Sequence, residues 1–132
     1  MYLKCYAGDT AEFKITNLLH DITFNSGGNF GDWSFIFTAK ESLSDSDISA
    51  KIQRNEAHGI TLNAGGAGSV HLVSIDLKLV HADTVNLQGK TLYCDIQGYN
   101  SSTGEVSRFA YFRLRIDPAV TRQTTTSITV NS

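Results

Sequence analysis

The residues able to do chemistry are few and scattered. Cys5 and Cys94 are the two cysteines, and neither has a Cys-x-x-Cys partner, so a zinc knuckle is excluded. Free cysteine behaves as a small apolar side chain. Cys94 falls in phase with Leu92 and Ile96, and both thiols are expected to be free and buried. The four histidines, His20, His58, His71 and His81, share no ligand spacing. His71 and His81 with Asp76 or Asp83 contain metal-ligating types, but nothing in their spacing makes them converge. Glu41, Asp45 and Asp47 form a local acidic group. It lacks the glycine and the closing glutamate of a calcium loop and reads as a solvated turn. Gly65-Gly66-Ala67-Gly68 has no following Lys-Ser/Thr and leads into a strand. It is therefore no phosphate cradle, which needs a helix N-terminus. No nucleophile elbow occurs. These observations point away from an enzyme, a cofactor or a metal centre.

What remains is a set of basic and aromatic residues near the C-terminal strands. Arg108, Arg113, Arg115 and Arg122 lie close in sequence to Tyr99, Phe109 and Tyr111. Arginine and tyrosine are enriched at interface hot spots. The same pattern also describes a solvated strand with arginine stems lying over rings. As a protein interface the candidate set is Tyr99, Arg108, Phe109, Tyr111, Arg113, Arg115, Arg122, Ile128 and Val130.

The elements that position these residues read as strands. Phe13 and Ile15 alternate with Glu12 and Lys14, and Trp33, Phe35 and Phe37 alternate with Ser34, Ile36 and Thr38. Leu92, Cys94 and Ile96 alternate with Tyr93, Asp95 and Gln97. Ala110, Phe112, Leu114 and Ile116 alternate with Phe109, Tyr111, Arg113 and Arg115. A period of two places each set on one face of a strand. The apolar phase predicts a core of Phe35, Phe37, Leu92, Ile96, Phe112 and Leu114, with Trp33 beside them. Val70 and Leu72 give way to Val73, Ile75 and Leu77, a phase change that predicts a bulge or twist.

Turn chemistry separates the runs. Residues 25–29 and 63–68 are glycine-rich, residues 100–104 read as a hairpin loop, and Asp117-Pro118 ends the last strong strand. Residues 81–87 read as a short helical connector across one end of the fold. The segment after Asp47 is too short for a confident helix. Short strands with regular turns point to an all-β sandwich or barrel whose sheets are antiparallel.

Length and charge agree. The chain has 132 residues, is 41% hydrophobic and carries a net charge of -2. That suits one soluble domain and offers no basic excess for nucleic acid. No apolar run approaches the roughly 20 residues of a membrane span, and the N-terminus lacks a secretory signal pattern. One domain over residues 1–122 is expected, followed by an extended threonine-rich arm over 123–132. The arm is β-branched and uncharged. An exposed strand of this kind is normally covered, which suggests strand addition to a partner or to another copy of the chain.

Several short motifs, in order, carry a family resemblance. Tyr6-Ala7-Gly8-Asp9-Thr10 precedes a strand. Phe35-Ile36-Phe37-Thr38-Ala39-Lys40 runs into Asp45-Ser46-Asp47 and then Ile52-Gln53-Arg54. Tyr93-Cys94-Asp95-Ile96-Gln97 follows, and Ile116-Asp117-Pro118-Ala119-Val120-Thr121-Arg122 closes the series. Over residues 6–122 this order resembles the immunoglobulin-like β-sandwich domains of tailed-phage virions, best known as the N-terminal domain of baseplate upper proteins. The resemblance implies an antiparallel immunoglobulin-like β-sandwich with one short helical connector. It also implies a non-enzymatic virion component, in tail, baseplate, neck or capsid surface, that contacts itself and neighbouring virion proteins. Such a protein is made in the host cytoplasm and resides in the virion. The chain departs from the family by ending at Ser132 and by its long stretch over 22–32. A second reading is a carbohydrate-binding module for host-surface attachment. Trp33, Tyr99 and Tyr111 are its candidate stacking rings, although Trp33 shares the inward phase of Phe35 and Phe37.

Overall fold

Alternating side chains set up two sheets that share one core. The computed structural model describes residues 2–24, 31–65 and 70–119. Its strands are β1 (Tyr2–Tyr6), β2 (Ala11–Ile15), β3 (Thr23–Phe24), β4 (Trp33–Lys40), β5 (Ile52–Asn55), β6 (Ile60–Gly65), β7 (Val70–Leu79), β8 (Thr91–Asn100) and β9 (Val106–Asp117). Among the described residues a single 3-10 turn covers Asp47–Ser49, and one short helix, α1, covers His81–Thr84. The candidate arm, with Ile128 and Val130, and also Arg122, lie outside the described residues.

The first sheet has the order β1-β9-β8-β4-β5. All its pairs are antiparallel except β1 with β9, which is parallel. In the second sheet β7 is central. β2 and β3 pair with successive parts of β7, while β6 pairs with the span between Leu77 and His71. The overlap puts β6 on the opposite edge from β2 and β3. The triplets β2–β7–β6 and β4–β8–β9 are the two halves of an immunoglobulin sandwich. β5 widens the second half as an extra strand does in variable-type domains. The fold is thus all-β and immunoglobulin-like with a minor helical element, as the sequence indicates.

The first strand carries the short alternation Tyr2-Lys4-Tyr6 around Leu3 and Cys5. Its sheet membership depends on the crossing that follows it. Gly8, at φ +84°, turns the chain from β1 in one sheet to β2 in the other. A Cβ there would meet the His81 ring at 3.1 Å, and left-handed φ disfavours any other residue. The crossing is tied to the helical connector. The Gly8 N–H donates to Thr84 Oγ1 at 2.9 Å, and His81 Nδ1 donates to the Gly8 carbonyl at 2.8 Å. Thr84 is fully buried. The connector therefore fastens the end of the sandwich where β7 passes to β8.

The predicted core residues Trp33, Phe35, Phe37, Leu92, Ile96, Phe112 and Leu114 are all buried. From the second sheet Ile15, Ile75, Leu77 and Leu79 close over them. The phase change in β7 is a bulge. Asn63 pairs with Ser74 and Ala64 with Leu72, so Val73 is skipped and points to solvent. Ser74 is buried there, and Asn63 Nδ2 donates to its Oγ at 2.9 Å.

Both cysteines are buried and free. β1 and β8 lie on opposite sides of β9, so the two residues are separated by two strand spacings, roughly 10 Å. Their register differs further, since Cys5 faces Ile116 and Cys94 faces Phe112. A disulfide needs Cα atoms within about 7 Å. Burial raises both thiol pKa values, that of Cys94 to about 12. A raised pKa leaves little thiolate at pH 8. The native protein should therefore react slowly with an alkylating agent at Cys94, and the denatured, unreduced chain should titrate two thiols. A denatured chain with no titratable thiol would contradict the strand order.

Candidate interaction surface

The outward phase of the first sheet gathers the candidate residues. Across the strands, Tyr2 faces Arg113, Arg113 faces Tyr93, and Tyr93 faces Lys40. The neighbouring row runs Tyr111, Asp95, Thr38 and Gln53. The next runs Arg108, Gln97, Ile36 and Asn55. On the other side, Lys4 faces Arg115 and Tyr6 faces Asp117. Tyr99 lies beyond, opposite Ser34 and Val106. All five tyrosines of the chain, Tyr2, Tyr6, Tyr93, Tyr99 and Tyr111, therefore stand on this one face with Arg108, Arg113 and Arg115.

The basic residues are held in place. The Arg113 guanidinium lies 5.9 Å from the Tyr2 ring centroid and 5.1 Å from that of Tyr93. Its Nη1 donates to the Tyr2 hydroxyl at 3.1 Å, and that hydrogen bond is the main cause of its raised pKa. Arg115 Nε donates to Asp117 Oδ1 at 2.9 Å, which holds the Asp117 carboxyl below its ordinary range. Arg108 Nε donates to Asp95 Oδ2 at 3.2 Å. Stacked or paired guanidinium groups lose less rotamer freedom when a partner arrives.

Of the sequence-predicted set, Tyr99, Arg108, Tyr111, Arg113 and Arg115 come together. Phe109, expected among them, does not join them. Ile96 pairs with Ala110 and Gln97 with Arg108, so Phe109 is the extra residue of a β-bulge. The bulge turns its ring inward, where it is fully buried. Its carbonyl, left out of the ladder, accepts from the Leu19 N–H at 2.8 Å. Trp33 is likewise core, so it is no stacking platform for a sugar.

Tyr2, Tyr6 and Tyr93 belong to the face although sequence reasoning did not select them. The alternation Tyr2-Lys4-Tyr6 around Leu3 and Cys5 was a usable signal. Its location beside β9 was not, because parallel pairing joins residues more than a hundred positions apart.

Most of the other chemical candidates have structural partners, whereas Asp76 keeps a buried Oδ1 that accepts no hydrogen bond from any described residue. Lys40 Nζ binds Asp47 Oδ1 at 2.8 Å and the Asp45 carbonyl at 2.9 Å, which fixes the acidic turn. His81 is engaged by Gly8, and Asp83 by Arg54 and the Val80 N–H. His71 lies 3.2 Å from Asp21. Among the described residues no three His, Cys, Asp or Glu side chains converge as a metal site would require. No helix among them is long and apolar enough to cross a membrane. The geometry that stands out is one sheet face of ring planes and guanidinium forks. No protein-family model matches the chain, and no curated protein sequence matches it significantly.

Proposed function

We propose that this domain is a non-enzymatic structural protein of a phage or prophage virion, acting in particle assembly through protein–protein contacts. Its partners are other copies of itself and neighbouring virion proteins. The observation that carries the reading is the gathering of every tyrosine with three arginines on one sheet face. Tyrosine and arginine are, with tryptophan, the residues enriched among interface hot spots, and here they stand on neighbouring strands of one sheet. The ordered motifs from Tyr6 to Arg122 support the virion class, because the sandwich is the fold that their resemblance implies.

The row Tyr2–Arg113–Tyr93 is the centre of the proposed contact. Light scattering of the full chain is expected to show an oligomer. The double substitution Tyr2→Ser with Arg113→Glu should reduce it to single chains while leaving the thermal midpoint within a few degrees, since both side chains are exposed. A wild-type chain that stays monomeric at high concentration would remove the self-contact. Neighbouring genes that encode no portal, capsid, tape-measure or tail protein would remove the virion assignment.

A further inference from the structure

The same face is not flat. Between the acidic turn and the Arg108 end of β9 lies a groove of about 480 Å³. That volume falls in the range of small-ligand sites, about 300–1,000 Å³. Lys40 builds one wall by pinning the turn, and Leu43 projects from it, 64% exposed. Tyr111 stands on the other side, and Ile36 and Thr38 lie between.

The charged groups that line the groove are already paired. Lys40 holds Asp47, and Arg108 holds Asp95. Two cations and two anions leave no net charge. The neutral polar groups are unpaired. The Thr38 hydroxyl and the Gln53 and Gln97 amides make no side-chain hydrogen bond to any described residue. These three can both donate and accept. One ring remains open as well. The Tyr93 ring carries Arg113, whereas no ring or guanidinium among the described residues covers Tyr111, which is 45% exposed.

A groove with neutral two-way hydrogen-bonding groups, apolar walls, an open ring and no spare charge suits a neutral polyhydroxyl ligand. A saccharide without ionic groups has hydroxyls that donate and accept, and a C–H face that packs on an aromatic ring. An ionic ligand would have to break the Lys40–Asp47 or Arg108–Asp95 pair to be neutralised. We propose that this groove binds a neutral saccharide, with Tyr111 as the stacking platform and Thr38, Gln53 and Gln97 as the hydrogen-bonding set. The site goes beyond the assembly reading and does not depend on it, because of the Tyr2–Arg113–Tyr93 row only Tyr93 borders the groove, and neither Tyr2 nor Arg113 lines it.

The test is an NMR titration of the full chain with glucose, galactose, mannose, N-acetylglucosamine and their neutral oligomers, and with sialic acid as the charged comparison. At least one neutral sugar should shift the amide resonances of Thr38, Gln97 and Tyr111 saturably. Tyr111→Ala and Gln97→Ala should each weaken that binding about tenfold, while Tyr6→Ala, at the far end of the same face, should leave it unchanged. The idea is overturned if no neutral sugar moves these resonances, if Tyr111→Ala and Gln97→Ala both bind as well as wild type, or if sialic acid binds in preference. Loss of oligomer in the Tyr2→Ser, Arg113→Glu variant with sugar binding retained would separate the two functions of the face.

Discussion

Phe109→Ala is expected to cost about 3–5 kcal/mol of folding stability, the penalty of a large aromatic cavity in a packed core. The ring is fully buried and meets Phe35 at 5.0 Å and Trp33 at 5.5 Å, both tilted edge to face. His20 caps it from the side at 5.3 Å. Beneath the ring lies Gly98, and a Cβ at that position would sit 2.4 Å from Phe109 Cε2. The bulge that turns Phe109 inward therefore requires a residue without a side chain on the facing strand. Gly98→Ala alone should be destabilising by about 1–3 kcal/mol through overpacking. In the Phe109→Ala background the same change should cost much less, because the ring it strikes is gone. A residual contact with Phe35 at 3.1 Å keeps the cost above zero. Chemical denaturation of the four proteins gives the coupling directly, and an expected value above about 1 kcal/mol marks a shared site. Additive effects would mean that the two residues do not meet.

This pair also shows where alternation is a sound guide and where it fails. Along β4 and most of β8, inward and outward residues follow a strict period of two. Trp33, Phe35, Phe37, Leu92, Cys94 and Ile96 are all buried as that period requires. A bulge adds one residue and reverses the phase for everything on one side of it. Reading β9 backwards from Ile116 gives the right faces as far as Ala110, then misplaces Phe109. The pattern around Phe109 contains no glycine or proline to announce the change. In β7 the apolar residues themselves break step, so that bulge was legible. The interaction face was half legible for a different reason. Its β9 and β8 residues sit on a hairpin, and local sequence implies their pairing. Its β1 residues reach the face only through parallel pairing, which no short-range signal specifies. The groove was not visible at all. It depends on Lys40 drawing the acidic turn over the sheet, a contact between a strand and the loop after it.

The second large effect is expected at the other end of the sandwich. Asp83 lies on α1 with its side chain only 3% exposed, and it forms an ion pair with Arg54 of β5. Its other oxygen accepts the Val80 N–H at 2.8 Å, which caps the start of the helix. A carboxylate this deep is tolerable only while its partner and its hydrogen bond are present. Arg54→Met removes the partner and keeps much of the packing volume. It should destabilise the fold by about 3–5 kcal/mol, because the cost is the stranded charge and not the lost attraction. Asp83→Asn removes the charge while leaving an oxygen to accept from Val80. Placed on that background, Arg54→Met should cost below about 1 kcal/mol, since no buried anion is left behind. Equal losses in the two backgrounds, measured by thermal or denaturant unfolding, would show that Arg54 acts through its packing alone. The expected asymmetry assigns the pair a specific task. It fixes the connector that carries β7 into β8, and so sets the strand on which Tyr93, Asp95 and Gln97 stand.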